Sequence, residues 1–324
     1  MEAASDAEVE TNGLDRGRDD PAECALSVVI PCRNAVGTLG TAIELLLAQP
    51  WPHPREIVVA DNGSIDGSAR VVEELAARHD NVRLVDASGP PRAALARNVG
   101  ALAAHGRSLA FFDADDVPEP GWLAAMGDAL EANTFVACRL DTDSLNESWT
   151  LAVRGRPQNT DLPLTSFYPH LRTASGGTIG IRTAVFRDLG GFDASIPGGS
   201  EDVEFCLRVQ LAGHPLVFVP HAVVKMRYRH SRRAMFAQAR LWATGHAGLE
   251  ARFRDATVPP QLQPVSGEVG PPRPRSNASK IRQMLGDLTS RGGRARWIWR
   301  LGWYTGLGEA RVASMRARRG TLLH

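Results

Sequence analysis

SLAFFDADDVPEP, residues Ser108 to Pro120, joins an apolar run, Leu109-Ala110-Phe111-Phe112, to three carboxylates, Asp113, Asp115 and Asp116. The run reads as a core strand. Unpaired charges are costly to bury, so the end of that strand must face solvent or a cation. The segment on either side repeats the same layout. Leu26 to Ile30 is a buried strand ended by Pro31, and Leu39, Ile43, Leu46 and Leu47 then share one helical face, with Thr41-x-x-Glu44 as a capping box. Ile57 to Val59 is a second strand, followed by the loop Asp61-Asn62-Gly63-Ser64 and a helix presenting Val71, Val72 and Leu75. Val82 to Val85 is a third strand, and a helix through Leu95, Val99 and Leu102 leads back to Leu109. Near-continuous apolar strands alternating with helices indicate an α/β fold with a mostly parallel central sheet covered on both faces. Such sheets bind ligands beyond the carboxyl ends of their strands. Pro31 to Asn34, Asp61 to Ser64 and Asp113 to Asp116 all lie at those ends.

From residue 141 the pattern loosens. Residues 141–175 are polar and aperiodic, as in a long loop region that shapes a site. Ser175-Gly176-Gly177 precedes a strand, and Ile196 to Ser200 is a flexible loop entering a helix that begins Glu201-Asp202. A late strand spans Leu216 to Val219, and residues 231–254 read as helix. Val258 to Ser276 is a Pro/Gly-rich linker, and a further helical stretch covers 278–318 with a break at Arg291-Gly292-Gly293. The expected organisation is a disordered acidic segment (1–23), a catalytic domain (24–255), the linker (256–277) and a basic, aromatic helical tail (278–324).

Charge separates these units. Residues 1–23 carry 2 Arg against 8 acids, residues 24–224 carry 15 basic and 23 acidic side chains, and residues 225–324 carry 20 basic and 5 acidic. A basic C-terminal surface suits an anionic partner. Four cysteines, Cys24, Cys32, Cys138 and Cys206, form no C-x-x-C pair, which favours reduced thiols over a disulfide framework. The N-terminus lacks an apolar core and so is not a signal peptide, and no run of 18 apolar residues is present. A cytoplasmic chain is expected, at most touching the inner face of the membrane.

Taken singly, the polar clusters have ordinary explanations. Asp is a common turn residue, and Glu201-Asp202 behind Ser200 suits a helix N-terminus. The chemical readings are sharper. Asp113-x-Asp115 offers hard oxygen ligands for Mg²⁺ or Mn²⁺, and a carboxylate at 201 or 202 can act as a general base.

In combination, "LSVVIPCRNAVGTLGTAIELLLAQ", "EIVVADNGSIDGSA", "ALARNVGALAAHGRSLAFFDADD", "LGGFD" and "SEDVEFCLRVQLAG" follow the order seen in family 2 glycosyltransferases with the GT-A fold. The resemblance covers residues 24 to 230. It implies a Rossmann-like sheet with a C-terminal helical extension and an inverting transfer from a nucleotide-diphosphate sugar to a hydroxyl acceptor, a cell-envelope, polysaccharide or lipid-linked glycan. By the same resemblance Pro31, Arg33 and Asp61 hold the nucleotide base, and Arg97, beside Asn98, lies near the nucleotide. Asp113 reads the ribose and, with Asp115, holds a divalent metal (Mn²⁺ or Mg²⁺). Asp202 is the base, Glu201 supports it, and Gly176 and Gly177 let the chain approach the donor sugar. Family members often place a metal-binding His after the last core strand. Lys225 occupies that position here, leaving His221 and His230 as further candidates and the lysine as a cation facing the diphosphate.

Three further expectations follow. The loop before Glu201 is a lid over the donor. Arg294 to Arg319 mixes Trp297, Trp299, Trp303 and Tyr304 with arginines, as helices at an anionic membrane interface do. No nucleic acid partner is expected. An idle nucleotide-sugar-binding relative or another metal-dependent nucleotide-sugar enzyme is the alternative, while the absence of G-x-G-x-x-G after the first strand excludes a Rossmann dehydrogenase.

Overall fold

The computed structural model describes residues 24–165, 171–196, 199–229, 231–253, 256–257 and 289–321. The strands are β1 (Leu26–Cys32), β2 (Arg55–Asp61), β3 (Val82–Asp86), β4 (Ser108–Phe111), β5 (Val117–Pro118), β6 (Phe135–Asp141), β7 (Ile179–Arg182) and β8 (Leu216–Lys225). They form one sheet in the order β3-β2-β1-β4-β7-β6-β8-β5. The first four positions are parallel, as expected from the apolar runs. β7 then runs antiparallel between β4 and β6, β6 and β8 are parallel, and β5 is an antiparallel edge.

The helices are α1 (Leu39–Leu47), α2 (Ser68–Ala76), α3 (Ala93–Ala103), α4 (Trp122–Ala132), α5 (Ser148–Arg154), α6 (Thr183–Asp188), α7 (Glu201–Leu211), α8 (Arg232–Phe253) and α9 (Arg291–Thr321). Strand alternation divides the core between the two sheet faces. Val28, Ile30, Ala110 and Phe112 join Leu39 of α1, Val72 of α2 and Trp122 of α4 on one face. Val29, Leu109 and Phe111 join Ala101 of α3, Phe186 of α6 and Phe205 of α7 on the other. There Phe192 stacks at 4.5 Å on Phe205 and meets Phe111 edge-on at 5.1 Å, contacts worth about 1 kcal/mol each beyond their burial.

Pro31 explains how the site opens. Residues two apart on a strand bond to the same neighbour, and Val29 O accepts the Phe112 N–H on the β4 side. Pro31 would next offer an N–H to that side, but β4 ends at Phe111 and pairs with β1 only as far as Val29. The missing donor costs no ladder bond, and the chain after Phe112 is free to turn away with its carboxylates.

Several expectations need correction. α1 begins at Leu39 with Thr38 at its N-cap, so Thr41 and Glu44 lie inside the helix and form no capping box. The 141–175 region contains α5, whose short apolar pattern is hidden by polar flanks. The break expected at Arg291-Gly292-Gly293 falls just before it, at Thr289 and Ser290, and the two glycines stand in the first turn of α9; residues 278–288 lie outside the described residues. The linker and the segment before Thr289 lie almost wholly outside the described residues.

The largest correction concerns the aromatic tail. α9 packs along α8 and against α5. Trp299 meets Trp242 of α8 edge-on at 5.7 Å, and Trp303 lies 5.7 Å from His246. A Cβ on Gly302 would come within 2.5 Å of the Phe236 carbonyl oxygen, and one on Gly306 would collide with the Arg240 carbonyl, so the two helices touch backbone to backbone. Trp299 and Trp303 are therefore committed to the protein, not to a lipid interface. No helix among the described residues is long and apolar enough to cross a membrane.

Candidate active site

Two adjoining cavities, of about 510 and 530 Å³, open at the carboxyl ends of the strands. Arg97, Asp113, Asp115 and Arg229 line both, so they form the partition. The cavity on the β1 side is walled by Pro31, Arg33, Asn34, Asn62 and Arg92. The cavity on the α7 side is walled by Asp116, Ser175, Glu201 and Asp202, with Arg154, Trp242 and Trp303 farther round its surface.

Arg97 organises the partition. Projected from α3 and only 5% exposed, it donates from Nη2 to Asp113 Oδ1 at 2.9 Å and from Nη1 to Glu201 Oε1 at 3.2 Å. Burial opposes its charge, but Asp113 and Glu201 outweigh that and hold its pKa above the ordinary arginine value. Gly176 and Gly177 make this packing possible. A Cβ on Gly176 would stand 2.6 Å from the Arg97 guanidinium, and one on Gly177 2.5 Å from the Asp113 carboxylate. The pair thus admits Arg97 and Asp113 rather than lining either cavity itself. Asn98, the other half of the Arg-Asn pair, clasps Phe192, accepting its N–H at 2.9 Å and donating to its carbonyl at 2.7 Å.

Asp202 occupies the first turn of α7 behind Ser200, which holds the N-cap position without a capping side-chain bond. Its Oδ2 accepts the Gly176 N–H at 3.1 Å and its Oδ1 the Val203 N–H at 2.8 Å. Burial, then the neighbouring Glu201 charge, push its pKa up to about 7 against the pull of Arg97. A carboxylate tuned there can accept a proton near neutral pH.

The Asp113–Asp116 turn is the other charged focus. One Asp113 oxygen is taken by Arg97. Burial, and then Asp113, raise the Asp115 carboxyl; Asp116, 3% exposed, is pushed well above the usual carboxylate range by burial, Asp113 and Asp115. Asp116 Oδ1 accepts the Arg227 N–H at 3.3 Å, while Oδ2 is buried without a partner. Hard oxygens with an orphaned member beside them match what a divalent cation needs, with substrate oxygens to complete the shell. Among the described residues no three His, Cys, Asp or Glu side chains converge as a preformed metal shell.

Other expected residues fall elsewhere. The Asp61 carboxylate turns into its own loop, accepting the Ser64 N–H and hydroxyl, and does not line the β1-side cavity; its neighbour Asn62 does. Lys225 is held by Glu119 at 2.6 Å and lines neither cavity, so it does not face a diphosphate there. His221 is exposed on β8, away from both cavities, and His230 lies outside the described residues. The cations that the segment after β8 does bring to the cavities are Arg227 and Arg229, which the alternating "MRYR" could have signalled. Arg92 and Asn62 were also missed: isolated polar residues in loops carry no periodic mark.

The sequence matches the Glycosyl transferase family 2 profile over residues 27–190 and the Glycosyl transferase family group 2 profile over residues 159–315. The second match extends through most of α9. A pre-mycofactocin glycosyltransferase of Mycobacterium tuberculosis is 28% identical over 247 residues, 74% of this chain and 50% of that protein. Glycosyltransferase AglE of Haloferax volcanii is 25% identical over 205 residues, 61% of this chain and 65% of that protein. The chain therefore spans about half the length of the first relative and less than two thirds of the second. Among solved structures, the mannosyltransferase PcManGT from Pyrobaculum calidifontis, in complex with GDP-Man and Mn²⁺, superposes with a TM-score of 0.61 at 16% identity, covering 89% of this chain and 88% of that one. GalNAc-T7 with UDP, GalNAc and Mn²⁺ superposes with a TM-score of 0.52 at 20% identity, covering 68% and 48%. These likenesses establish the GT-A fold.

Proposed function

The chain belongs to glycosyl transferase family 2, and on that premise we propose that it is an inverting glycosyltransferase. It moves a sugar from a nucleotide-diphosphate donor to a hydroxyl of a glycan or lipid-linked acceptor. The observation that carries this reading is the pair of adjoining cavities divided by Arg97, Asp113 and Asp115. One has the polar, strand-end walls of a nucleotide site, and the other holds a carboxylate whose pKa suits a base.

Pro31, Arg33 and Asn62 receive the base and ribose, with Asp61 stiffening the loop beneath them. Asp113 and Asp115 would hold a divalent metal, and that ion supplies charge to offset the departing diphosphate. Arg229, lining both cavities, adds a fixed cation on the same side. Asp202 takes the proton of the acceptor hydroxyl as its oxygen attacks the anomeric carbon, opposite the leaving group. One base and one assisted leaving group give a single displacement and inversion. Arg97 pairs with Glu201 beside Asp202, and burial and the Glu201 charge together raise the pKa of the base. The lid expected before Glu201 includes Pro197 and Gly198, which lie outside the described residues; limited proteolysis with and without nucleotide tests it, and unchanged cutting there contradicts it. Contact of 294–319 with an anionic surface draws on the arginines and the exposed Tyr304 of α9, since Trp299 and Trp303 are packed inward.

The test is donor turnover. The wild type cleaves or transfers from one nucleotide sugar in Mg²⁺ or Mn²⁺ and loses this in EDTA, and Asp202→Asn binds the same nucleotide but transfers about 10² to 10⁴ times more slowly. Unchanged transfer by Asp202→Asn would remove Asp202 from the mechanism.

A further inference from the structure

The α7-side cavity contains a cation that donor chemistry does not use. Arg154, the last residue of α5, lies between three aromatic rings, with its guanidinium carbon 4.7 Å from the Tyr228 ring, 4.5 Å from Trp242 and 4.6 Å from Trp299. Its Nη1 donates to Gln238 Oε1 at 2.6 Å. Among the described residues Nε and Nη2 donate to nothing, and no carboxylate stands within ion-pair distance. Burial depresses its pKa to about 10, which leaves it charged at neutral pH.

Poorly solvated cations are ordinarily paired: Arg97, the buried arginine of the site, has two carboxylates, whereas the half-buried Arg154 has none among the described residues. Aromatic faces recover part of the desolvation cost of Arg154 and fix its plane, but they give its free N–H groups no acceptor. Arg154 lines the same cavity as Asp202 and not the β1-side cavity, so its position separates it from the nucleotide. Arg229, in contrast, lines both. The rings that hold Arg154 come from the segment after β8, from α8 and from α9, which makes the C-terminal helix part of this wall.

Resting on the transferase reading above, we propose that the acceptor is anionic: it carries a carboxylate or phosphate group that pairs with Arg154 while its hydroxyl meets Asp202. The planar guanidinium, with two donors free, fits either oxyanion by a forked pair of hydrogen bonds.

The experiment is calorimetry on the full chain with nucleoside diphosphate and Mn²⁺ present, using three probes of one ring shape. These are methyl β-D-glucopyranoside, methyl β-D-glucuronide and methyl β-D-glucopyranoside 6-phosphate, with inorganic phosphate as a free-anion control. The wild type binds the glucuronide or the sugar phosphate at least about tenfold more tightly than the neutral glycoside, the value of one charge-assisted pair. The stronger of the two names the oxyanion. In Arg154→Gln the preference falls to about twofold or less, Arg154→Lys retains part of it, and the Kd of the nucleotide is unchanged in both. A purely structural clamp would instead lower the melting temperature and weaken all probes alike.

Failure of both anionic probes to outbind the neutral one in the wild type overturns the proposal without any variant. Equal preference in Arg154→Gln also overturns it, as does tighter binding of inorganic phosphate than of either sugar anion. Loss of nucleotide affinity in Arg154→Gln would assign Arg154 to the donor diphosphate and overturn the acceptor role. Absence of nucleotide binding by the wild type is a separate result, and it would contradict the transferase reading itself.

Discussion

Asp202 and Arg97 together set the chemistry of the partition. Asp202 is raised to about 7 by burial and by Glu201, so it is ionised above that pH and protonated below it. A base must be ionised, so transfer under saturating substrate rises with pH through about 7 and levels off above. Replacing Arg97 removes the cation that lowers Asp202. In Arg97→Met the midpoint of the pH profile therefore moves upward, nucleotide binding weakens, and the fold loses about 3 kcal/mol because Asp113 and Glu201 are left facing each other. A pH–rate profile with an unmoved midpoint would contradict the coupling. Asp113, Asp115, Glu201 and Asp202 were legible because their motifs stand in a fixed order. Asp61 and Lys225 were misplaced because a sequence gives no sign that a polar side chain will satisfy its own loop or an adjacent edge strand.

Elements were legible where their periodicity was undiluted. The centres of β1, β2 and β4 are near-continuous apolar runs because they are covered on both faces, and their ends converge as the parallel arrangement requires. β7 has only four residues, and its antiparallel insertion between β4 and β6 is a long-range pairing that no local pattern encodes. α9 was legible as a helix but not in its partner: Trp and Arg on one helix suit a membrane or a protein surface equally well. The small residues resolve it, since Gly302 and Gly306 lie one turn apart where the helix crosses α8. Gly306→Leu wedges the pair apart, and chemical denaturation should show a loss of about 1–3 kcal/mol, with acceptor-dependent transfer falling more than nucleotide binding. A variant as stable and active as the wild type would mean that α9 does not dock as described.

The whole molecule depends on a buried polar joint remote from the site. Glu56 on β2, 6% exposed, accepts the Ser27 hydroxyl at 2.6 Å, the His105 N–H at 2.6 Å and Arg83 Nε at 2.9 Å. Burial pushes its pKa up, but these donors outweigh burial and hold it below the ordinary glutamate value. A depressed folded-state pKa contributes stability that is complete above the unfolded value and is lost as pH falls through the folded one. Acid unfolding should therefore sharpen below about pH 4 in the wild type. Glu56→Ala should cost about 3 kcal/mol at neutral pH and flatten that acid dependence. An unchanged acid limb would remove Glu56 from this role.

At the same scale, the two cavities divide the molecule's work. The strand ends of the N-terminal half supply most of the β1-side cavity, the proposed donor side, while the loop before β7, α5, α7 and the C-terminal helices supply most of the other. The most direct test is turnover of a panel of nucleotide sugars by wild type and Asp115→Ala, in Mg²⁺, Mn²⁺ or EDTA. The account predicts metal-dependent release of nucleoside diphosphate from one donor, abolished by EDTA and by Asp115→Ala. A wild type that neither turns over nor binds any donor nucleotide in either metal, or equal turnover by Asp115→Ala, would contradict it.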